Sequence, residues 1–193
     1  RCTAHATIYI ANGHGAWEAA IANMFSRGDT ALVCCTGHFG LGWADAARRM
    51  GVAVETLDFG RRTPVDADRL EERLRQDTGH AIKAVLVTHV DTATTVLNDV
   101  AAVRRVIDAA GHPALFAVDA IASLVCEPFE FDEWGVDVLI AASQKGLMTP
   151  PGLGFIWISE TALERSKASD LATPYWDWKT RIARAVFSHN FGG

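Results

Sequence analysis

The chain has 193 residues, of which 49% are hydrophobic and 21% are charged, and its formal net charge at pH 7 is -5. This composition is typical of a globular domain with one sizeable core and excludes a largely disordered chain. The acidic balance and the scattered Lys and Arg residues argue against a nucleic-acid partner, because no basic stripe is present to neutralise phosphates.

The four cysteines do not predict a metal site, since they show neither Cys-x-x-Cys spacing nor a neighbouring pair of histidines. They are Cys2, Cys34, Cys35 and Cys126. Cys34 and Cys35 lie in an apolar strand pattern and are expected to pack as small hydrophobic residues. No apolar run is long enough to span a bilayer and no signal-like segment is visible, which favours the cytoplasm or an organelle matrix. The chain starts at Arg1 without a methionine, so a targeting segment is not excluded.

The chain starts with a predicted strand at residues 6–10, a glycine turn at residues 11–15 and a helix. The helix is indicated by apolar residues at i, i+3, i+4, i+7 and i+8, and Gly28 is the expected stop. These apolar residues are Trp17, Ala20, Ile21, Met24 and Phe25. Backbone N–H groups at such a helix start can bind a phosphate, although an ordinary strand-to-helix turn has the same pattern. A dinucleotide fingerprint fits less well, because the third glycine and the ribose-binding acid are missing.

Two further strand–helix pairs follow. Residues 30–35 predict a strand, and the helix after it has one apolar face. That face consists of Phe39, Trp43, Ala46, Ala47 and Met50. By periodicity Phe39 is a core residue. Residues 52–57 predict the next strand, and Ala67, Leu70 and Leu74 mark a charged surface helix.

Residues 81–88 predict a strand that is buried on both sides, since it is rich in Val and Leu. A loop of hydroxyl residues, 89–95, follows it, and Thr94 and Thr95 are expected to cap backbone groups in a turn. Asp99 is the expected N-cap of a helix at residues 100–110, with Gly111 just past its end.

Two charged residues follow the next two predicted strands. The strand at residues 114–120 carries Asp119, and ligand crevices of open parallel sheets lie outside the carboxyl ends of their strands. Lys145 follows the strand at residues 136–141, in a run that contains no other charge. Burial there would lower the pKa of the amine and prepare it to attack a carbonyl, although a lysine that extends into solvent is an equal alternative. A carboxylate and an amine placed in this way are what a pyridoxal phosphate site requires.

Strands and helices alternate along the whole chain with short connections. This alternation predicts an α/β fold with a mainly parallel sheet that carries helices on both faces. Neither a repeat nor a linker divides the chain, so residues 1–193 are expected to form one domain.

Four blocks of the sequence together resemble a known family. They are Gly-His-Gly-Ala-Trp-Glu-Ala-Ala at 13–20, His-Val-Asp-Thr-Ala-Thr at 89–94, Val-Asp-Ala at 118–120 and Ser-Gln-Lys at 143–145. In type and order they resemble the class V, fold type I aminotransferases, closest to the alanine-glyoxylate and serine-glyoxylate group. The resemblance runs from about residue 10 to the end of the chain.

The resemblance implies roles for eight residues. Lys145 would hold pyridoxal phosphate as a Schiff base and act as general base, and Asp119 would keep the ring nitrogen protonated. Phe39 would stack on the ring, and Thr92 would bind near its phenolic oxygen. The remaining four residues would also bind the cofactor, Gly13, His14 and Gln144 at its phosphate and Gly15 in the same glycine block.

The resemblance also implies the kind of enzyme. The expected activity is transamination of serine or alanine with a 2-oxo acid such as glyoxylate, by a homodimer. Relatives are about twice as long, so residues 1–193 would be the cofactor-binding large domain without an N-terminal segment and the small C-terminal domain. That small domain carries the arginine for the substrate carboxylate, so this chain alone could be inactive.

One residue departs from the family pattern, and three alternatives stay open. Where relatives have glycine in the hydroxyl loop, this chain has Thr95, a β-branched residue expected to resist a positive φ. A desulfurase or another lyase shares the fold, but such relatives commonly stack a histidine on the ring and place one before the lysine, unlike Phe39 and Gln144. A nicotinamide-binding domain and a non-catalytic remnant are the other two alternatives.

Overall fold

Nine strands form two sheets in the computed structural model, which describes residues 3–186. They are β1 (His5–Ile10), β2 (Thr30–Cys35), β3 (Ala53–Asp58), β4 (Ile82–Thr88), β5 (Val90–Asp91), β6 (Val96–Leu97), β7 (Leu115–Asp119), β8 (Val138–Ala142) and β9 (Leu153–Ile158). Seven of them form one sheet in the order β1-β9-β8-β7-β4-β2-β3, and β5 pairs with β6 in a separate hairpin. The strands from β3 to β8 in this order are parallel, and β9 and β1 are antiparallel to their neighbours.

Helices cover both faces of this sheet. They are α1 (Gly13–Met24), α2 (His38–Arg49), α3 (Ala67–Gln76), α4 (Val100–Ala109), α5 (Glu160–Arg165) and α6 (Trp178–Val186), with a 3-10 turn at Ser166–Ala168. One core cluster joins the sheet to α1, α2, α5 and α6, and the other joins it to α3 and α4. The α/β fold expected from the sequence is thus confirmed. Within residues 3–186, no helix has the length and apolar character that crossing a bilayer requires.

Burial follows the sequence pattern because inner strands are covered on both sides. All residues of β7 and β8 are buried, whereas the edge strand β3 alternates between exposed and half-buried positions. Cys34 and Cys35 are buried in β2, as expected, and Cys2 lies outside the described residues. The apolar side chains of the inner strands therefore fill the core on both faces of the sheet, and functional side chains are expected at the ends of the strands.

The helix ends agree with the prediction at α4 and differ at α1. Asp99 caps α4 by accepting a hydrogen bond from the N–H of Ala102 at 2.8 Å, and Gly111 follows with a φ of 61°. Helix α1 does not run to Gly28. It ends at Met24, because Phe25 turns to an extended conformation and buries its ring in the core, and Gly28 lies in the turn before β2 with a φ of 83°.

The expectation for Thr95 is wrong, since this residue does adopt a positive φ, of 60°. The β5–β6 hairpin imposes it: the N–H of Thr95 donates to the carbonyl of Asp91 at 2.8 Å. The neighbouring hydroxyl of Thr94 donates to the carbonyl of Thr36 at 2.9 Å and anchors the hairpin to the end of β2. The loop therefore takes the conformation that glycine favours, at a cost of about 1 kcal/mol for a residue with a Cβ.

The aromatic residues just before α6 and at its start, Tyr175, Trp176 and Trp178, pack on β1 and α1. The hydroxyl of Tyr9 donates to the carbonyl of Trp176 at 2.9 Å, Trp178 is fully buried, and the guanidinium of Arg181 stacks on the ring of Tyr9 at 4.2 Å. These residues therefore pack against the core.

Candidate active site

A cavity of about 270 Å³ opens at the carboxyl edge of the main sheet, close to the lower end of the range of small-molecule sites, roughly 300 Å³. The start of α1, the start of α2 and the loops after β4, β7 and β8 line it. Seven of the eight residues singled out from the sequence are among the lining residues: Gly13, His14, Phe39, Thr92, Asp119, Gln144 and Lys145. Tertiary structure therefore brings five separate segments to one place.

Asp119 is the buried acid of the cavity. Its Oδ1 accepts a hydrogen bond from the N–H of Ile121 at 2.8 Å, and its Oδ2 accepts one from Nε1 of Trp17 at 3.0 Å. Burial raises its pKa to about 7; the two hydrogen bonds and the positive charge of Lys145 work in the opposite direction, whereas Asp91 adds to the increase. A positive charge on a ligand next to Asp119 would therefore stabilise its ionised form.

Lys145 lies at the mouth of the cavity, in the turn after β8. Its side chain is exposed, so the desolvated surroundings expected for an activated amine are not present around it within the described residues. The reason is local: the turn continues past the end of the sheet, where strands and helices no longer cover it. Of the two alternatives that the sequence left open for Lys145, a desolvated amine or a side chain that extends into solvent, the structure shows the second, at the mouth of the Asp119 cavity.

The start of α1 leaves two backbone donors free at the cavity. Asn12 caps the helix: its Oδ1 accepts from the N–H of Gly15 at 3.1 Å and its carbonyl accepts from Ala16. The N–H groups of Gly13 and His14 have no acceptor among the described residues, as is usual for the first turn of a helix. Together with the macrodipole they form a seat for an anion.

Gly15 is the one residue of the predicted set that does not line the cavity. Its N–H is already bonded to Asn12. A Cβ at this position would lie 2.8 Å from the Cβ of Ala11, so close packing explains the glycine.

Phe39 is half-buried at the start of α2 and contacts both the cavity and the core. Its backbone position is fixed by Asp91, which is fully buried. Oδ2 of Asp91 accepts hydrogen bonds from the N–H groups of Phe39 at 2.8 Å and Gly40 at 3.1 Å, and Oδ1 accepts from Ala93. Gly37, the N-cap residue of α2, has no side chain to offer, so Asp91 performs this role from the hydroxyl loop.

Three lining or supporting residues were not identified as functional from the sequence. Trp17 occupies a core position of α1 by periodicity, and no local signal shows that its indole reaches Asp119. Asp91 lies in the hydroxyl loop, and the sequence feature that could have identified it is an acid in the segment between β4 and α4. Thr88 also lines the cavity, and its buried hydroxyl has no hydrogen-bond partner within residues 3–186. An unpaired buried hydroxyl at a cavity wall is a group that a ligand can satisfy.

The arrangement fits a flat, protonatable aromatic ring with an anionic tail. The free N–H groups of Gly13 and His14 suit the anion, Asp119 suits a ring nitrogen that carries a proton, and Phe39 offers an aromatic face. Thr92 and Gln144 are exposed at the rim, where both can approach a bound molecule. The site thus holds an acid, an amine and an anion seat within one cavity.

Comparisons with known proteins point in the same direction. Residues 2–180 match the model of the family described as aminotransferase class-V. The chain is 45% identical over 177 residues to the serine–glyoxylate aminotransferase of Methylorubrum extorquens, covering 89% of this chain and 44% of that protein. It is 44% identical over 170 residues to the L-aspartate–glyoxylate aminotransferase of Paracoccus denitrificans, covering 88% of this chain and 43% of that protein.

A solved structure agrees with these sequence comparisons. The crystal structure of an alanine–glyoxylate aminotransferase from Nostoc sp. superposes with a TM-score of 0.82 at 28% identity, over 91% of this chain and 46% of that one. This chain therefore spans less than half the length of each of these three relatives.

Proposed function

This chain belongs to the class-V aminotransferase family, and from that premise we propose that it is the pyridoxal-phosphate-binding large domain of a transaminase. Its substrates would be a small amino acid, serine or alanine, and a 2-oxo acid such as glyoxylate. The observation that carries the proposal is that buried Asp119 and exposed Lys145 face one cavity, beside the free N–H groups that start α1. The names of the relatives agree on glyoxylate but differ in the amino donor.

The residues of the cavity fit pyridoxal phosphate by their chemistry. The unpaired hydroxyl of Thr88 and the free N–H groups of Gly13 and His14 are donors without acceptors in the described part of the chain. The phosphate would be bound by Gly13, His14 and Gln144, and the ring by Phe39 and Thr92. When bound, pyridoxal phosphate supplies an electron-withdrawing ring that stabilises negative charge at the α-carbon of the substrate.

Three residues divide the tasks in the mechanism that we propose. Asp119 would keep the ring nitrogen protonated, and its burial would make that charge pair strong because little water competes for it. The amine of Lys145 would hold the cofactor; once freed by the amino donor, it would take the α-proton of that donor and return it on the cofactor side of the reaction. Phe39 would stack on the ring, and its own backbone is held by Asp91.

We also propose that the enzyme is a homodimer. Three large apolar side chains are exposed close to the loop that carries Lys145, and a second subunit would cover them and exclude water from the amine. They are Ile10, Met148 and Leu153, and Met148 is 90% exposed.

The test is to find the lysine that holds the cofactor. The full-length protein is mixed with pyridoxal phosphate, reduced with borohydride, digested and analysed by mass spectrometry. We expect the label on Lys145, and its loss in Lys145→Ala but not in Lys167→Ala, which removes a surface lysine paired with Glu164. A label on another lysine, or none, would contradict the proposal.

A further inference from the structure

Trp17 stands between the groups that would contact the cofactor. Its indole Nε1 donates a hydrogen bond to Oδ2 of Asp119 at 3.0 Å. Its ring meets the ring of His14 edge-on, with centroids 4.7 Å apart, and that of Phe39 at 6.4 Å. One side chain thus contacts the acid, the aromatic residue and the helix start that line the cavity.

Trp43 provides an internal comparison. It is fully buried and stacks on Trp17, with centroids 6.0 Å apart and an angle of 16° between the rings. Its own Nε1 has no hydrogen-bond partner within residues 3–186. The two tryptophans therefore share packing, but only Trp17 has a polar contact with the site, so packing alone does not account for where its N–H group lies.

We propose that Trp17 is a positioning residue, which fixes the carboxylate of Asp119 in the orientation and ionised form that a protonated cofactor ring requires. This inference rests on the proposed function, in which Asp119 pairs with the ring nitrogen. The carboxylate is held at two points, by Ile121 at Oδ1 and by Trp17 at Oδ2. Each oxygen keeps a second lone pair, so the clamp leaves an acceptor for the ring.

The hydrogen bond also acts on the charge of Asp119. An N–H donor stabilises a carboxylate and not a carboxylic acid, so Trp17 favours the ionised form against the effect of burial. The other charged or titratable groups around Asp119 are Asp91, which opposes ionisation, Lys145, which favours it, and His14 across the cavity. A substitution of Trp17 removes none of these three groups, and of the three only His14 has a ring contact with the indole.

The first measurement is an infrared pH titration of the cofactor-free, full-length protein. The carbonyl band of protonated Asp119 is assigned by its loss in Asp119→Asn. We expect Trp17→Phe to move the midpoint of this band upward by about one pH unit, the equivalent of one charge-assisted hydrogen bond. Trp43→Phe, which removes a similar ring from the same cluster, should leave the midpoint in place. Equal midpoints in wild type and Trp17→Phe, or equal shifts in both variants, would overturn the proposal.

A second substitution covers the case in which Trp17→Phe does not fold. Benzothienylalanine at position 17 keeps the bicyclic ring and replaces the N–H group by sulfur. It should give the same upward shift, and an unshifted midpoint would show that the N–H group has no effect on Asp119.

The second measurement separates this inference from the proposed function. Trp17→Phe should weaken binding of pyridoxal phosphate about tenfold relative to Trp43→Phe. A pyridoxal phosphate analogue with carbon in place of the ring nitrogen should bind equally well to Trp17→Phe and Trp43→Phe. This analogue has no ring N–H group that could pair with the Asp119 carboxylate. If the wild type bound neither compound, the proposed function would fail, and the infrared midpoint would still decide the role of Trp17. Equal losses for both compounds would mean that Trp17 only shapes the cavity.

Discussion

The carboxylate of Asp91 holds the backbone of Phe39, although the two residues lie 52 positions apart in the chain. The N–H group of Phe39 donates to Oδ2 at 2.8 Å, and that of Gly40 donates to the same oxygen at 3.1 Å. Asp91 therefore joins the hydroxyl loop to the start of α2, and these two segments both line the cavity.

The first prediction concerns this contact. Asp91→Asn should lower the free energy of unfolding by about 2 kcal/mol, because a buried charge-assisted acceptor is replaced by an amide that places a donor among donors. Urea unfolding measures the loss, and amide hydrogen exchange at Phe39 and Gly40 should become faster. Asp66→Asn is the control, since Asp66 caps the exposed start of α3 and asparagine caps equally well. Equal stability of both variants would contradict the cap.

The second prediction concerns Gly37, which lies against the same carboxylate. A methyl group at Gly37 would lie 2.5 Å from Oδ1 of Asp91, so Gly37→Ala should displace the carboxylate and destabilise the protein by about 2 kcal/mol. Gly79→Ala should be neutral, since a methyl group there meets nothing within 4 Å. The loss should shrink when Gly37→Ala is made together with Asp91→Ala. If Gly37→Ala destabilised the protein equally with and without Asp91→Ala, the contact between the added methyl group and the Asp91 carboxylate would not be the cause.

The third prediction concerns the strain at Thr95. Thr95→Gly should raise the free energy of unfolding by up to about 1 kcal/mol, because glycine adopts the φ of 60° freely. Thr94→Gly should instead lower it, since the hydroxyl of Thr94 anchors the hairpin to Thr36. Thermal unfolding of both variants under one condition is sufficient. A loss of stability in Thr95→Gly would show that its side chain contributes more than the strain costs.

The fourth prediction concerns pH. In the cofactor-free protein the pKa of Asp119 is raised from 3.8 to about 7, so the folded state binds a proton that the unfolded state has released. Stability from this group is complete below about pH 4 and is lost as the pH rises towards 7, at roughly 1 kcal/mol per pH unit. Asp119→Asn should remove this decline and be more stable than the wild type above pH 7.

Urea unfolding at a series of pH values tests this dependence. Asp45→Asn is the matched control, because Asp45 lies in a surface ion pair with Arg49, and its curve should run parallel to the wild type. If Asp119→Asn followed the wild-type curve between pH 4 and 7, burial would not be raising the pKa of Asp119.

The sequence by itself determined the fold class, most elements and the placement of Asp119 and Lys145 at the ends of two neighbouring strands. Local patterns predict these features: alternating strands and helices, a helix cap at Asp99, and a charged residue at or just after the end of each of two apolar strands. Periodicity and capping act over a few residues, so they can be recognised without knowing the neighbours in space.

Only the tertiary structure decided how the site is supported. Trp17 reaches Asp119 across 102 positions and Asp91 reaches Phe39 across 52, distances over which no local pattern carries information. The same is true of Thr95, whose local preference against a positive φ is overridden by the hairpin hydrogen bonds around it. Exposure of Lys145 also depends on what packs beyond the edge of the sheet. Residue types and local patterns therefore identify the reactive groups. Their hydrogen-bond partners and their exposure to solvent depend on long-range packing, because these involve segments that meet only in the folded chain.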